Sequence, residues 1–247
     1  MKIQLLFEEL EKIKESSKED FKNSGMINRF KEMRYGFFPL GWGILTDNNK
    51  TNDGPPTDEI EEGGVMVLGN DFSTVSYVKD VKEDSGGIGE LKGTTIRNIL
   101  KYVPALATNK TFFTNLNLGI RLDDGCYKGT TMTKRICNEK PFKIKPEYSD
   151  LCFKFFIKQL ELIKPRKVIC LGHEVKNALI DSGIPFHQWK AKSDSLGKLY
   201  SKKENNHIIK NKELKEIEFI VIPHPCYLVN FLKPPYLEKL NTFLEAK

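Results

Sequence analysis

The sequence lacks the cysteine patterns of a disulfide framework or a zinc ribbon, and it lacks the long apolar run of a membrane span. Its five cysteines are an odd number, and no two of them form a C-x-x-C pair. A reducing cytoplasm therefore fits this cysteine usage better than a disulfide framework does. No apolar run approaches the roughly 18 residues that span a bilayer. Acidic residues come too soon after Met1 for a signal peptide, so we expect a cytoplasmic protein that has no membrane partner.

Positive charge is only slightly in excess: the chain has 39 basic and 33 acidic residues, and its formal net charge is +6. This balance is mild evidence for a polyanionic partner such as nucleic acid, although a lysine-rich solvated surface explains it equally well. Apolar residues make up 39% of the chain, which is ordinary for a soluble globular protein. A chain of this length buries enough surface to form one domain over residues 1–247, and we expect a monomer.

Four short apolar runs predict the strands of a parallel sheet. Each run is continuous rather than alternating, as in strands that are covered on both faces. Segments in which apolar residues have helical spacing lie between these runs. This alternation of strands and helices indicates an α/β fold with three layers, α/β/α, around a central four-stranded parallel sheet. The predicted strands are residues 65–68, 111–114, 168–171 and 219–222, and the predicted helices are 95–102, 147–164, 174–181 and a last one containing Tyr236, Leu240 and Phe243.

Two further segments are predicted to lie around this sheet. Residues 1–33 have helical spacing, and we expect residues 1–60 to form a helical and loop extension packed on the domain. The lysine-rich segment 189–215, between the third and fourth predicted strands, predicts a surface excursion.

Polar side chains follow the predicted strands. Gly69, Asn70 and Asp71 come after the first strand, Asn115 ends the second, and His224 follows the fourth. Ligands of doubly wound sheets bind beyond the carboxyl ends of the strands, so we expect an acid, an amide and a histidine to meet at one rim. Each residue also has a purely structural interpretation. Asp71 could cap a helix, Asn115 could bond loop backbone groups, and His224 could be a rigid turn residue.

This set of side chains suits the hydrolysis of an N-glycosidic bond. As the bond stretches, the sugar becomes cationic and the base anionic, and preorganised groups aimed at these charges supply most of the catalysis. Asp71 would face the sugar and hold a water, whereas His224 would face the departing base. Asn115 offers both a donor and an acceptor, the pattern that reads a nucleobase edge. The reaction requires no metal and no cofactor.

The order of these motifs resembles that of the uracil-DNA glycosylase superfamily over roughly residues 63–230. Gly69-Asn70-Asp71 resembles the motif whose aspartate positions or activates water, and residues 114–121 resemble the segment whose asparagine, here Asn115, binds uracil. Residues 224–228 resemble the His-Pro-Ser loop, whose histidine assists the leaving base. The resemblance further implies that substrate is bound by Gly69, Asn70, Phe72 and Tyr77, and that DNA is contacted by Thr94, Thr95, Cys226 and Leu228, the last as an apolar wedge.

The sequence departs from this family at several positions. Phe72 and Ser73 stand where the family has a proline and then a tyrosine that excludes thymine. Ile88 falls nearest to the aromatic residue that stacks on the base, so Phe72 or Tyr77 is expected to take that role. Cys226 replaces the serine of His-Pro-Ser, and the cysteine pair of the iron–sulfur branch is absent.

We therefore expect a divergent, monofunctional DNA glycosylase of base excision repair, acting on uracil first, with single- or double-stranded DNA as its partner. Two alternatives stay open. The first is a nucleic-acid or nucleotide-binding module that has kept the fold and lost catalysis. The second is a hydrolase with Ser73, His224 and Asp71 as a triad, although Ser73 does not lie in a Gly-x-Ser-x-Gly elbow.

Overall fold

A central sheet organises the part of the chain that the computed structural model describes. The described residues are 5–6, 8–9, 12, 26–27, 43–44, 62–70, 94–107, 111–118, 120–121, 146–182, 189, 195–201, 208–211 and 217–246. Their strands are β1 (Met26–Ile27), β2 (Gly43–Ile44), β3 (Val65–Gly69), β4 (Thr111–Asn115), β5 (Ile120–Arg121), β6 (Lys167–Leu171), β7 (Ile208–Asn211) and β8 (Ile217–Ile222).

Six of these strands form one sheet in the order β2-β4-β3-β6-β8-β7, and β1 pairs with β5 separately. The four inner strands run parallel to one another. At the two edges, β2 and β7 run antiparallel to their neighbours. The predicted four-stranded parallel sheet is thus confirmed, and each of its edges carries an antiparallel strand that the sequence patterns did not indicate.

Helices flank the sheet. They are α1 (Thr94–Tyr102), α2 (Pro146–Ile163), α3 (His173–Asp181), α4 (Leu196–Ser201), α5 (Leu228–Phe231) and α6 (Pro234–Glu245), with a short 3-10 helix at Pro104–Leu106. Four of them, α1, α2, α3 and α6, lie where the apolar spacing predicts helices, whereas α4 and α5 were not predicted. Within the described residues, no helix combines the length and the apolar character needed to cross a membrane.

The three layers follow from the alternation of side chains along each strand. In β3, Met66 and Leu68 belong to a core shared with α2, α3 and α4, whereas Val67 belongs to a second core shared with α1, α5 and α6. Both faces of the sheet are therefore covered by helices, and each strand position needs an apolar side chain. This double coverage explains the continuous apolar runs and confirms the α/β/α architecture.

The order of the parallel strands creates a switch point in the middle of the sheet. From β3 the chain passes to β4 by way of α1, on one face. It then passes to β6 and on to β8 by way of α2 and α3, on the other face. The two directions diverge between β3 and β6, and ligands of open α/β sheets bind at the carboxyl ends of the strands that flank such a point.

The prediction of helix throughout residues 1–33 is wrong at Ile27, which lies in β1 and pairs with Ile120 of β5. Backbone hydrogen bonding to a distant strand overrides the local helical spacing there. Helical backbone is described earlier in this segment, and Leu6 is fully buried in the core next to α2.

The prediction of a surface excursion at residues 189–215 is also wrong at the residues that the structure describes there, which are Trp189, α4 and β7. Trp189 is completely buried, Leu199 of α4 is almost so, and β7 extends the sheet. Lysines dominate the composition of the segment, but the fold is determined by its few large apolar side chains, because burying each of them stabilises the domain by about 2 kcal/mol.

Lys167 ties the last helix to the sheet at the end opposite to the carboxyl rim. Its ammonium group donates to the carbonyl oxygens of Leu244 and Ala246 and lies 5.4 Å from the centroid of the Phe243 ring. Burial lowers the pKa of Lys167, and the charge of Glu218 opposes this shift. A cation suits this position, because the last carbonyls of a helix lack intrahelical partners and carry partial negative charge.

Lys167→Met is expected to lower the free energy of unfolding by about 1–2 kcal/mol, since it keeps the apolar stem and removes both hydrogen bonds. Urea denaturation measures the change. Lys158→Met is the matched control, because Lys158 forms an exposed ion pair with Glu161 at 3.4 Å and such pairs contribute about 0.5 kcal/mol or less. Equal losses in the two variants would contradict a specific role of Lys167 at the helix end.

Candidate functional site

The carboxyl ends of the four parallel strands are held side by side by hydrogen bonds beyond the strand ladders. The Leu116 N–H donates to the carbonyl of Gly69 at 2.9 Å, and the Gly172 N–H donates to the carbonyl of Ile222 at 2.8 Å. The loops that follow these strands therefore start from fixed positions. The structure places Asn70, Asn115 and His224 at this one edge of the sheet.

Asn115 lies across the end of the neighbouring strand. A Cβ atom placed on Gly69 would come 2.0 Å from Asn115 Oδ1, so only glycine leaves room for the amide in this position. The side chain is half-buried. Because Gly69 carries no side chain, the Asn115 amide can lie over β3, close to the switch point.

Asn117 is a site residue that sequence reasoning missed. Its side chain is buried, and its amide nitrogen donates to the backbone carbonyl of Asn70 at 3.0 Å and to Asn70 Oδ1 at 3.2 Å. The Asn117 N–H also donates to the same carbonyl, at 2.9 Å. Asn117 therefore holds the residue that precedes Asp71. The only signal in the sequence was a second amide two positions after Asn115.

Asn117→Ala is expected to lower the free energy of unfolding by about 1–2 kcal/mol, because it removes both side-chain hydrogen bonds to Asn70 and keeps only the backbone one. Thermal or urea denaturation measures the loss. Asn230→Ala is a matched control, since Asn230 is exposed on α5. An Asn117 variant as stable as this control would show that the contacts with Asn70 contribute nothing to the fold.

Gly172 occupies the strand end between β3 and β8. Its φ of +90° lies in a region that side chains rarely adopt, and a Cβ atom there would come 3.5 Å from the Cβ of His224. This glycine ends β6 and immediately precedes α3. Because neighbouring strands lie about 4.8 Å apart, β8 runs about 10 Å from β3, and the position between them carries no side chain.

His224 is held in a defined orientation by its own loop. Its Nδ1 lies 2.7 Å from Cys226 Sγ and accepts the Cys226 backbone N–H at 3.3 Å. An acceptor at Nδ1 means that the neutral ring carries its proton on Nε2. The ring also meets Tyr227 edge-on, with centroids 6.3 Å apart. This tautomer has its N–H at Nε2, on the side of the half-buried ring away from Cys226.

The helix α1 is fastened to the His224 loop. Asn98 Nδ2 donates to the carbonyl of Pro225 at 3.0 Å, although the two residues lie 127 positions apart. Thr94 and Thr95 open this helix, and its first turn contains no acidic residue. Free N–H groups and the positive end of the helix dipole at such a terminus favour phosphate groups. Both threonines lie about one helical turn before Asn98, on the helix that this bond fastens to the His224 loop.

The loop after His224 presents apolar side chains on the outside. Leu228 begins α5 and packs, half-buried, against the core next to α1 and α6. Its neighbours Tyr227 and Val229 are 55% and 83% exposed. The wedge role of Leu228 stays a prediction, and the residues on either side of it expose more apolar surface.

Three of the predicted site residues, Asp71, Phe72 and Tyr77, lie outside the described residues. Among the residues that are described, no group of three or more His, Cys, Asp or Glu side chains could hold a metal ion. Comparison with models of known protein families and with curated proteins gives no match to this chain.

Proposed function

We propose that this protein is a DNA glycosylase that hydrolyses the N-glycosidic bond of a flipped-out damaged base, uracil first. The observation that carries the proposal is the contact of the Cys226 N–H with His224 Nδ1 at 3.3 Å, which favours the tautomer with its proton on Nε2. The neutral ring then donates from Nε2 at the carboxyl edge of the sheet. Such a preorganised donor stabilises the oxygen of the base that gains negative charge as the bond breaks.

Recognition of the base is assigned to Asn115. Its amide is fixed across β3, on the far side of Gly172 from His224. The spacing of about 10 Å between β3 and β8 suits a planar ring bound between side chains from the two sides. An amide in this position can donate to a carbonyl oxygen and accept from a ring N–H, which is the pattern along the edge of uracil.

Activation of water is assigned to Asp71. It directly follows Asn70, and Asn70 is held by three hydrogen bonds from Asn117. In the proposed reaction the carboxylate faces the sugar, orients the attacking water and stabilises the positive charge that develops there. Phe72 or Tyr77 is proposed to stack on the base.

The bond that breaks is inaccessible inside a duplex, so the target nucleotide must be extruded into the site. We assign the backbone phosphates to the start of α1 at Thr94 and Thr95, and the space left in the duplex to the loop at Cys226 and Leu228. The net charge of +6 favours such a partner. Affinity for DNA should therefore fall as the salt concentration rises. As a step of base excision repair, the reaction is proposed to take place in the cytoplasm.

The test is incubation of the protein with oligonucleotides, single- and double-stranded, that carry uracil, hypoxanthine, 8-oxoguanine or a thymine–guanine mismatch, followed by alkaline strand cleavage. Fluorescence anisotropy on the same oligonucleotides measures binding. Cleavage at uracil without added metal is the expected result. Binding without cleavage would favour the alternative, a nucleic-acid-binding module that has lost catalysis. The absence of both binding and cleavage would reject both functions.

A further inference from the structure

A thiol and an imidazole are in direct contact in the loop after β8. The distance between Cys226 Sγ and His224 Nδ1 is 2.7 Å. The Cys226 backbone N–H also points at Nδ1, which favours the tautomer in which this nitrogen is an acceptor. The hydrogen of the thiol is therefore directed at a base, and a thiol with a base in contact forms the nucleophilic thiolate more readily than an isolated one.

Cys226 differs in accessibility from the other cysteines that the structure describes. Cys152 and Cys170 are 1% and 0% exposed. The Cys152 sulfur accepts the Leu118 N–H, and burial raises the pKa of the Cys170 thiol. Cys226, in contrast, is only half-buried and is followed by Tyr227, which is 55% exposed. Cys226 is therefore more open to a small reagent than the two core thiols.

From this contact and this accessibility we infer that Cys226 is a modification site, a thiol activated by His224 that reacts with small electrophiles of the hydroperoxide class. The inference goes beyond the proposed function and does not depend on it. The chemistry requires only the thiol, the imidazole and the peroxide.

The reaction with hydrogen peroxide conserves atoms and electrons. The thiol proton moves to His224 Nδ1, and the sulfur attacks one peroxide oxygen. The S–O bond forms as the O–O bond breaks, so the sulfur is oxidised by two electrons and the peroxide is reduced. The departing hydroxide takes the proton from Nδ1 and leaves as water. The product is a sulfenic acid at Cys226, which a thiol reductant converts back.

The experiment measures the reaction rate of each cysteine in the full-length folded protein. The protein is pulsed with iodoacetamide at neutral pH, denatured, and treated with deuterated iodoacetamide before peptide mass mapping. Cys226 is expected to react about tenfold faster than free glutathione, as activated thiols do, while Cys152 and Cys170 stay unlabelled. A second sample treated with hydrogen peroxide is expected to gain one oxygen at Cys226, removable by dithiothreitol.

His224→Gln tests the role of the imidazole, because glutamine keeps a polar side chain and removes the base. Alkylation of Cys226 should then slow to the rate of free glutathione. Labelling of the buried Cys152 and Cys170 would show that this variant is not folded. If the variant is not folded, the inference is tested by comparing the alkylation rate of Cys226 in the unaltered protein with that of glutathione. The inference is overturned if Cys226 reacts no faster than glutathione in the unaltered protein, or if a folded His224→Gln variant reacts as fast as the unaltered protein.

Discussion

Replacement of His224 by alanine is expected to lower the turnover of uracil-containing DNA by about 10²–10³-fold, the usual effect of removing one preorganised donor to a developing oxyanion. The physical reason is the contact of Nδ1 with the Cys226 N–H, which places the donor at Nε2 before substrate arrives. In the proposed reaction, the hydrogen bond from Nε2 to the base strengthens only as the bond between base and sugar breaks, so kcat should fall while the affinity for the cleaved product stays nearly unchanged.

The matched control for this prediction is His173→Ala. His173 is an exposed histidine that begins α3 at the same edge of the sheet. Its replacement should change turnover by about twofold or less, as is usual for surface positions. Single-turnover kinetics with both variants provide the comparison. If both variants retained full turnover, His224 would have no part in the reaction, and equal losses would point to a general effect on the fold.

Gly69→Ala is expected to destabilise the protein by about 3 kcal/mol, toward the upper end of the cost of overpacking. The added methyl group would lie 2.0 Å from Asn115 Oδ1 and 3.2 Å from its Cγ. One of the two strand ends has to move, or the amide has to leave its position. A displaced Asn115 would also weaken the recognition of the base, so the variant should lose base discrimination as well as stability.

A double-mutant cycle isolates this clash. On the background of Asn115→Ala the methyl group meets no amide, and the cost of Gly69→Ala should fall to about 1 kcal/mol or less. Gly197→Ala in α4 is the control, since the nearest atom there lies 3.8 Å away and alanine in a helix gains up to about 1 kcal/mol over glycine. An unchanged cost of Gly69→Ala in the absence of the Asn115 amide would place the constraint elsewhere, and urea denaturation of the four chains decides.

The inner sheet could be predicted from the sequence because strands that are covered on both faces have continuous apolar runs. The two edge strands could not be predicted. β2 consists of two residues, too few for any period to show, and β7 lies in a segment whose lysines dominate its composition. A strand that is paired on one side only does not need a continuous apolar run.

That Asn70, Asn115 and His224 lie at one edge of the sheet was predictable for a similar reason. The rule that loops converge at the carboxyl ends of parallel strands singles out Asn115 and His224 from the strand positions alone. The contacts that fix these residues depend on tertiary geometry. The amide of Asn117 on Asn70, the Asn98 bond to Pro225 and the thiol of Cys226 on His224 leave no periodic pattern.

The two antiparallel edge strands have a consequence for solubility. A sheet that ended at β4 and β8 would present two rows of unsatisfied backbone groups, which are templates for strands of other molecules. β2 pairs with Phe112 and Phe113 of β4, and β7 pairs with residues 217–220 of β8, so these parts of the two rows are covered. At two and four residues, both edge strands offer little length for further pairing themselves. A chain that lacked β7 would keep its parallel core and is expected to leave that side of β8 open to a second copy of itself.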